Sequence, residues 1–261
     1  MRLATPYYVC VYYLSWIWFG FGGLLLNLGC ALLLPLQRNR RVMSAVRSTI
    51  RVMFDFWLKW CHASGSFKVR WNGFGEGALR PGTVYISNHP TLVDAPALLS
   101  RLPEAICIFK PSLLKNPCIG PAAVMAGYVC GNTGVDLVRD AAEQVASGCS
   151  LLIFPEGTRT RVGEHLNPIK PGFALIALRA NAPIRFITLR ASPDLLVKGR
   201  PWWKLPDLPT WMEVTLHDEI PADTPLSAAE ITAMTQERLA MLVRDNSSSS
   251  GSCPQPTRTS C

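Results

Sequence analysis

The sequence predicts an α/β domain, a mostly parallel sheet covered by helices, preceded by an N-terminal membrane helix. Three observations predict it. Past Arg80, short apolar runs alternate with helix-patterned stretches, the order that sets strands side by side and helices on their faces. Two of those runs, residues 83–87 and 150–154, stop at polar motifs, as buried strands do where a sheet reaches its ligand-facing edge. Between Leu3 and Gln37 no side chain is charged, and that exceeds the ~20 residues needed to cross a bilayer core.

A chain of 261 residues, 49% hydrophobic and 17% charged, is long enough for one sizeable core plus an addition. Its mean hydropathy of +0.18 is high for a water-soluble enzyme, and the excess lies at the N-terminus. The expected division is a membrane anchor with an interfacial helix (residues 1–62), an α/β domain (63–245) and a disordered tail (246–261).

Within the anchor, residues 7–36 are rich in Leu, Val, Trp, Tyr and Gly, and Arg38, Arg40, Arg41, Arg47 and Arg51 follow. Only Arg2 and the amino terminus are positive before the run, and that bias places the rest of the chain in the cytoplasm. A signal peptide would have an apolar stretch of ~7–15 residues, about half of this one. Gly20, Gly22, Gly23, Asn27 and Gly29 interrupt the run and Pro35 closes it, so a tilted or re-entrant segment fits as well as a straight span. Residues 42–61 then repeat apolar side chains at helical spacing (Val42, Val46, Ile50, Met53, Phe54, Trp57, Trp60), with Arg47, Arg51 and Lys59 elsewhere on the surface. An interfacial helix and an amphipathic helix packed on its own domain both satisfy that pattern.

Residues 67–71 offer an edge strand. Further strands are expected at 83–87, 105–109, 151–154, 183–189 and 212–217, and helices at 93–102, 121–126, 140–147 and 172–180. Ser227 followed by Glu230 forms a capping box that opens a last helix reaching about residue 244. Beyond Asp245 the Ser-rich, Pro-containing segment cannot bury enough apolar surface to order itself.

The net charge of +8 attracts phosphate of some kind. The arginines cluster beside the apolar segment and no nucleic-acid-reading signature is present, which favours an anionic membrane surface over nucleic acid. Nine cysteines are scattered without a C-x-x-C pair or histidines at zinc spacing, so neither a metal site nor a disulfide framework is expected.

The first polar motif is Asn88-His89-Pro90-Thr91-Leu92-Val93-Asp94. Its histidine lies in the turn after a strand and Asp94 in the first turn of the next helix, so the turn can fold the carboxylate onto the imidazole. A carboxylate on one ring nitrogen fixes the tautomer and leaves the other to take a proton. No Gly-x-Ser-x-Gly elbow accompanies the pair. A base without its own nucleophile activates one brought by the substrate, naturally a hydroxyl; Ser87 or Thr91 as nucleophile is the alternative. Read plainly, His89 is a capping histidine and Asp94 a helix first-turn acid.

The second motif, Phe154-Pro155-Glu156-Gly157-Thr158-Arg159, lets backbone approach a ligand at Gly157 and offers a planar guanidinium fork at Arg159. Glu156 either accepts from a substrate hydroxyl or holds Arg159. Thr158 either touches ligand or stabilises the turn, and a plain turn stapled by Glu156 and Arg159 accounts for the same residues.

Together the two motifs resemble the hallmark of the lysophosphatidic acid acyltransferase family, the glycerophospholipid acyltransferases, namely Asn-His-x-x-x-x-Asp followed by Phe-Pro-Glu-Gly-Thr-Arg. The resemblance covers about residues 83–190. It implies a glycerolipid acyltransferase-like fold that transfers a fatty acyl group from acyl-CoA or acyl-carrier protein to a lysophospholipid hydroxyl. His89 would be base and Asp94 its partner, with Glu156, Gly157, Thr158 and Arg159 at the acceptor phosphate and no cofactor. The block Phe109-Lys110-Pro111-Ser112-Leu113-Leu114-Lys115-Asn116-Pro117, then Gly127-Tyr128-Val129, is similar to the family's second motif and adds Lys110 to the substrate-binding set. The strand at 183–189 would be the last motif. The implied location is the inner (cytoplasmic) membrane, with the catalytic domain facing the cytoplasm.

Where the second motif ends, in an acidic-arginine pair, this chain has Cys130-Gly131-Asn132-Thr133, and the nearest arginine is Arg139. With Pro90-Thr91 and Lys198-Gly199-Arg200-Pro201-Trp202-Trp203, that departure is similar to divergent bacterial members serving specialised lipid or aryl polyene synthesis. Such an acceptor, a non-catalytic lipid-binding membrane protein and a thioester hydrolase are the competing readings.

Overall fold

In the computed structural model the described residues are 4–109, 111–117, 119–131 and 134–248. Two long helices come first, α1 (Ala4–Leu33) and α2 (Arg40–Ala63). The chain then runs β1 (Phe67–Asn72), β2 (Val84–Ser87), α3 (Asp94–Leu99), β3 (Ala105–Phe109), α4 (Gly120–Met125), β4 (Val129–Cys130), α5 (Val135–Ala146) and β5 (Ser150–Ile153). It ends with α6 (Gly172–Ala180), β6 (Ile184–Ala191), β7 (Thr210–Ile220) and α7 (Ala228–Ser248).

The seven strands form one sheet in the order β1-β7-β6-β2-β5-β3-β4. Neighbours run parallel except β6 and β7, so β7 and the edge strand β1 oppose the other five. The mostly parallel sheet expected from the alternation is therefore present, with a reversed pair added at one side.

Alternating side chains feed two cores, one on each face. Val84, Ile86 and Leu151 pack with Phe173 and Ile176 of α6 and Leu239 of α7. On the other face Tyr85, Leu152 and Ile187 meet Leu98 of α3 and Trp57 of α2. Phe173 is fully buried, and truncating such a ring to alanine costs about 3–5 kcal/mol.

Local chemistry explains the helix ends. Asn39 accepts from the N–H groups of Arg41 and Val42 to start α2. At the far end of α6, Asn181 takes a left-handed conformation at φ 47°. Ser227 and Glu230 make the expected reciprocal capping box, Ser227 N–H to Glu230 at 2.8 Å and Glu230 N–H to Ser227 Oγ at 3.3 Å. From there α7 continues to Ser248, beyond the expected limit near residue 244, and residues 249–261 lie outside the described ones.

Among the described residues one helix is long and apolar enough to cross a membrane, by length and composition. It is also docked along its length. Tyr7 donates to the Ser64 carbonyl at 3.0 Å, Trp57 donates to the Ser15 carbonyl at 3.1 Å, and Ala122 N–H donates to Asn27 Oδ1 at 2.8 Å. Tyr7 to Asn27 spans ~30 Å at 1.5 Å per residue, so α1 lies along the domain. Its other face exposes Tyr13, Leu14, Ile17, Trp18, Phe21, Leu24, Leu25, Leu28 and Leu32.

Helix α2 packs one face on its own domain, the amphipathic reading of its sequence. Val46, Ile50, Trp57, Leu58 and Cys61 are buried against the domain, while Val52, Phe56 and Trp60 remain exposed beside α1. Arg47 corrects its expected surface position. It is buried, bonded to Glu104 at 2.7 Å and to the Ala126 carbonyl at 2.9 Å. The helical period turns Arg47 onto the stripe of Val46 and Ile50, where a paired charge is tolerated and an unpaired one is not.

Candidate active site

Parallel strands β2 and β5 are adjacent, with Ile86 opposite Ile153. Three residues further along each, His89 and Glu156 come level at the C-terminal edge of the sheet, where α/β folds place their ligands. The two sequence motifs thus meet because of strand register.

His89 Nδ1 lies 2.8 Å from Asp94 Oδ2, and Asp94 is wholly buried at the first residue of α3. The Thr91 N–H donates to the same oxygen at 2.8 Å, and the Thr91 hydroxyl donates to Asp94 Oδ1. Burial pushes the Asp94 carboxyl above its ordinary range, against the hydrogen bonds from His89 and Thr91 that favour the anion. The imidazole stacks on Phe154 with centroids 4.0 Å apart and planes 16° from parallel. Held at Nδ1 and on one face, the ring has Nε2 as its remaining basic atom.

Neither hydroxyl considered as a nucleophile is directed at a reactant. Ser87 Oγ is buried and donates to the Asn88 carbonyl at 3.0 Å, and Thr91 is committed to Asp94. Burial raises the Cys107 thiol to about 12, which keeps it protonated.

Glu156 is bonded to other protein donors and not to Arg159. Buried, it accepts from the His89 N–H at 2.9 Å, the Thr160 hydroxyl at 2.9 Å and the Asn167 N–H at 2.9 Å. Both oxygens are engaged by protein donors, so the carboxyl group ties the two motifs together. Thr160 N–H donates to the His89 carbonyl at 2.7 Å, closing the same junction. Asn88 is also a tie. Its amide exchanges 2.8 Å bonds with the Leu189 backbone, extending β2 onto β6.

Gly157 has φ 69° and lies at the exposed rim with Thr158. A Cβ there would come within 3.2 Å of Lys170 Nζ, so the Lys170 ammonium rests over this turn. Arg159 donates through Nη1 to the carbonyls of Leu196 at 2.9 Å and Val197 at 3.2 Å. Lys110 lies outside the described residues. Arg139, the arginine nearest the departed second motif, is exposed and bonded to Asp136 and Asp140 at 3.0 Å on α5. Among the described residues no cluster of three or more His, Cys, Asp or Glu could hold a metal ion.

Asn167, Lys170 and Leu196 were absent from the sequence reading, and Thr160, at the end of the second motif, was given no role there. The Thr and Asn follow Glu156 within eleven residues, but only the folded turn reveals that they serve its carboxylate.

The sequence model of the family described as Acyltransferase matches residues 75–190. Over 121 residues the chain is 35% identical to 1-acyl-sn-glycerol-3-phosphate acyltransferase BAT2, chloroplastic, of Brassica napus, covering 44% of this chain and 35% of that protein. A Helicobacter pylori 1-acyl-sn-glycerol-3-phosphate acyltransferase is 27% identical over 172 residues, 64% of this chain and 69% of that one. The chain spans about a third of the length of the plant relatives it matches. In fold it is similar to the crystal structure of the 1-acyl-sn-glycerophosphate acyltransferase PlsC from Thermotoga maritima, with a TM-score of 0.64 and 20% identity over 87% of this chain and 96% of that one. The matched segment, residues 75–190, contains both motifs and the sheet edge where they meet, and there the chain is similar to 1-acyl-sn-glycerol-3-phosphate acyltransferases.

Proposed function

We propose that this chain is a membrane-bound O-acyltransferase. It transfers a fatty acyl group from acyl-CoA or acyl-carrier protein to the hydroxyl of a lysophospholipid such as 1-acylglycerol-3-phosphate. The observation that carries this reading is the His89–Asp94 pair, 2.8 Å apart, beside the Ser87 and Thr91 hydroxyls, which are both bonded within the protein.

His89 Nε2 accepts the proton of the acceptor hydroxyl as its oxygen attacks the thioester carbonyl. Asp94 holds the Nδ1 proton and stabilises the imidazolium. Collapse of the tetrahedral adduct expels the thiolate, which takes the proton back from Nε2, leaving ester and free thiol. No acyl-enzyme forms. Arg159 and Lys170 bind the acceptor phosphate around the Gly157 turn, where Thr158 is exposed to it. Glu156 keeps the two halves in register.

Attachment follows from α1 and α2. A helix bonded to the domain at both ends and along its middle cannot cross a bilayer without carrying the domain into it. The exposed apolar face of α1 therefore lies in one leaflet, in the plane of the membrane, with Arg38, Arg40 and Arg41 at the headgroups. The location is the cytoplasmic membrane, domain on the cytoplasmic side.

The test is acceptor dependence. Membranes containing the chain, given labelled acyl-CoA or acyl-carrier protein and a panel of lysolipids, should put label into a diacyl product only when a lysolipid is present. Release of free fatty acid without an acceptor would identify a thioester hydrolase instead.

A further inference from the structure

The loop between β6 and β7 is the largest excursion from the sheet that the chemistry above leaves unused. It carries Lys198, Trp202, Trp203 and Lys204, and all four are exposed. We propose that residues 197–207 dock on an anionic phospholipid surface and that this docking sets Arg159 through the Leu196 carbonyl. The proposal rests on the membrane-bound acyltransferase reading above.

The two indoles are 46% and 59% exposed, a large apolar area for a loop facing water alone. They abut α1, Trp203 beside its exposed Tyr13 and Trp202 against its inward-facing Tyr12 and Trp16. The Trp202 carbonyl accepts from the Tyr12 hydroxyl, and the Trp203 carbonyl accepts from Tyr13 at 2.9 Å. Trp202 also packs 5.6 Å from Trp16. Indoles seat at the headgroup level, and Lys198 and Lys204 beside them complement anionic headgroups. That chemistry selects a lipid surface rather than an apolar protein partner.

The loop is braced to move as a unit. Arg200 donates to the Leu205 carbonyl at 2.6 Å and lies 3.5 Å from Asp194, and Asp194 accepts from the Asp207 N–H at 2.5 Å. At its root Leu196 sits in left-handed conformation at φ 48°, a strained position for a γ-branched side chain. Its carbonyl receives both the Leu92 N–H of the first motif, at 3.2 Å, and the Arg159 guanidinium of the second. A single strained carbonyl therefore links the Trp-bearing loop to both halves of the site. Displacing the loop alters the hold on Arg159 before it alters the buried His89–Asp94 pair.

The experiment uses the full chain with vesicles of phosphatidylcholine alone or mixed with phosphatidylglycerol. Brominated lipid should quench wild-type tryptophan fluorescence more than that of the Trp202→Phe, Trp203→Phe double variant, and the difference should grow with phosphatidylglycerol. Equal quenching of both proteins overturns the docking. With a short-chain lysophosphatidate dissolved as monomer, anionic vesicles should lower the wild-type acceptor KM roughly tenfold, the scale of one charge-assisted contact. Trp202→Ala with Trp203→Ala should lose that effect at similar kcat. Lys198→Glu with Lys204→Glu leaves the aromatic packing intact and should lose it too. Equal stimulation of wild type and both variants overturns the link to Arg159. If no acceptor is acylated by any protein while the quenching difference persists, the acyltransferase reading fails and the docking stands.

Discussion

Glu156 accepts the backbone N–H of His89 at 2.9 Å, so the most specific residue of one motif builds the turn that carries the base of the other. This relationship predicts how Glu156 fails. Glu156→Ala leaves the His89 and Asn167 N–H groups without their acceptor inside the protein, at about 1–3 kcal/mol for such orphaned groups. The melting temperature should fall by several degrees, since ~1 kcal/mol is worth about 2–4 °C in a domain of this size. The activity lost should appear in kcat, with the acceptor KM changed less. A variant with native stability and a raised KM alone would return Glu156 to the substrate.

Asp94→Asn separates stability from catalysis. Burial raises the folded carboxyl's pKa, so the folded chain keeps this proton to a higher pH than the unfolded chain does. Its contribution is fully present below the unfolded pKa of ~3.9 and is lost as pH rises through the raised folded value. The neutral amide has no such dependence. Melting curves from acid to neutral pH should show the variant gaining on wild type as pH increases. At neutral pH its kcat should be down by roughly a hundredfold or more, because the amide no longer fixes the tautomer or stabilises the imidazolium. A variant that loses stability relative to wild type as pH rises would reverse the sign.

Arg159→Ala should raise the KM for a phosphate-bearing acceptor by roughly ten- to a hundredfold, the worth of a charge-assisted hydrogen bond. Lys170→Ala should act in the same direction and more weakly, because its exposed ammonium is screened by solvent. Steady-state kinetics with matched phosphorylated and dephosphorylated acceptors checks this, and an equal effect on both acceptors would remove the phosphate from the account.

Asn27→Leu makes α1 more apolar, yet should destabilise the chain. Asn27 Oδ1 accepts the Ala122 N–H at the start of α4, and leucine removes that acceptor from a buried position. A loss of about 1–2 kcal/mol in urea unfolding of the micelle-bound protein is expected. No loss would mean that α1 does not stay docked on the domain.

Much of the fold was legible because it is written locally. Helix α6 falls on the expected residues 172–180, and the capping box of α7 forms as its sequence dictates. Strands β2 and β5 end where their polar motifs begin. What escaped depends on contacts between distant parts of the chain. The two-residue strand β4 has too few residues to show a period. The reversed direction of β7 is set by pairing with β6 across a long loop. Arg47 read as a surface charge because its partner Glu104 lies 57 residues away.

The site divides in the same way. The His89–Asp94 pair was readable because six consecutive residues contain both groups. The bond from the His89 N–H to Glu156 was hidden because a carboxylate in a glycine-containing turn reads as ligand-facing until strand register brings that N–H to it. Leu196, an apolar residue that acts through its carbonyl, leaves no signal in a sequence at all.

The central claim is that His89 takes the proton from a substrate hydroxyl that attacks the thioester directly. The most direct measurement is labelled acyl transfer to lysophosphatidate by wild type and His89→Ala in parallel, in vesicles, with intact folding of the variant checked by its melting curve. Wild type should form diacyl product, and the folded variant should lose it by roughly a thousandfold or more, within the usual reach of a general base combined with its orienting partner. Diacyl product formed by His89→Ala at the wild-type rate would contradict the account.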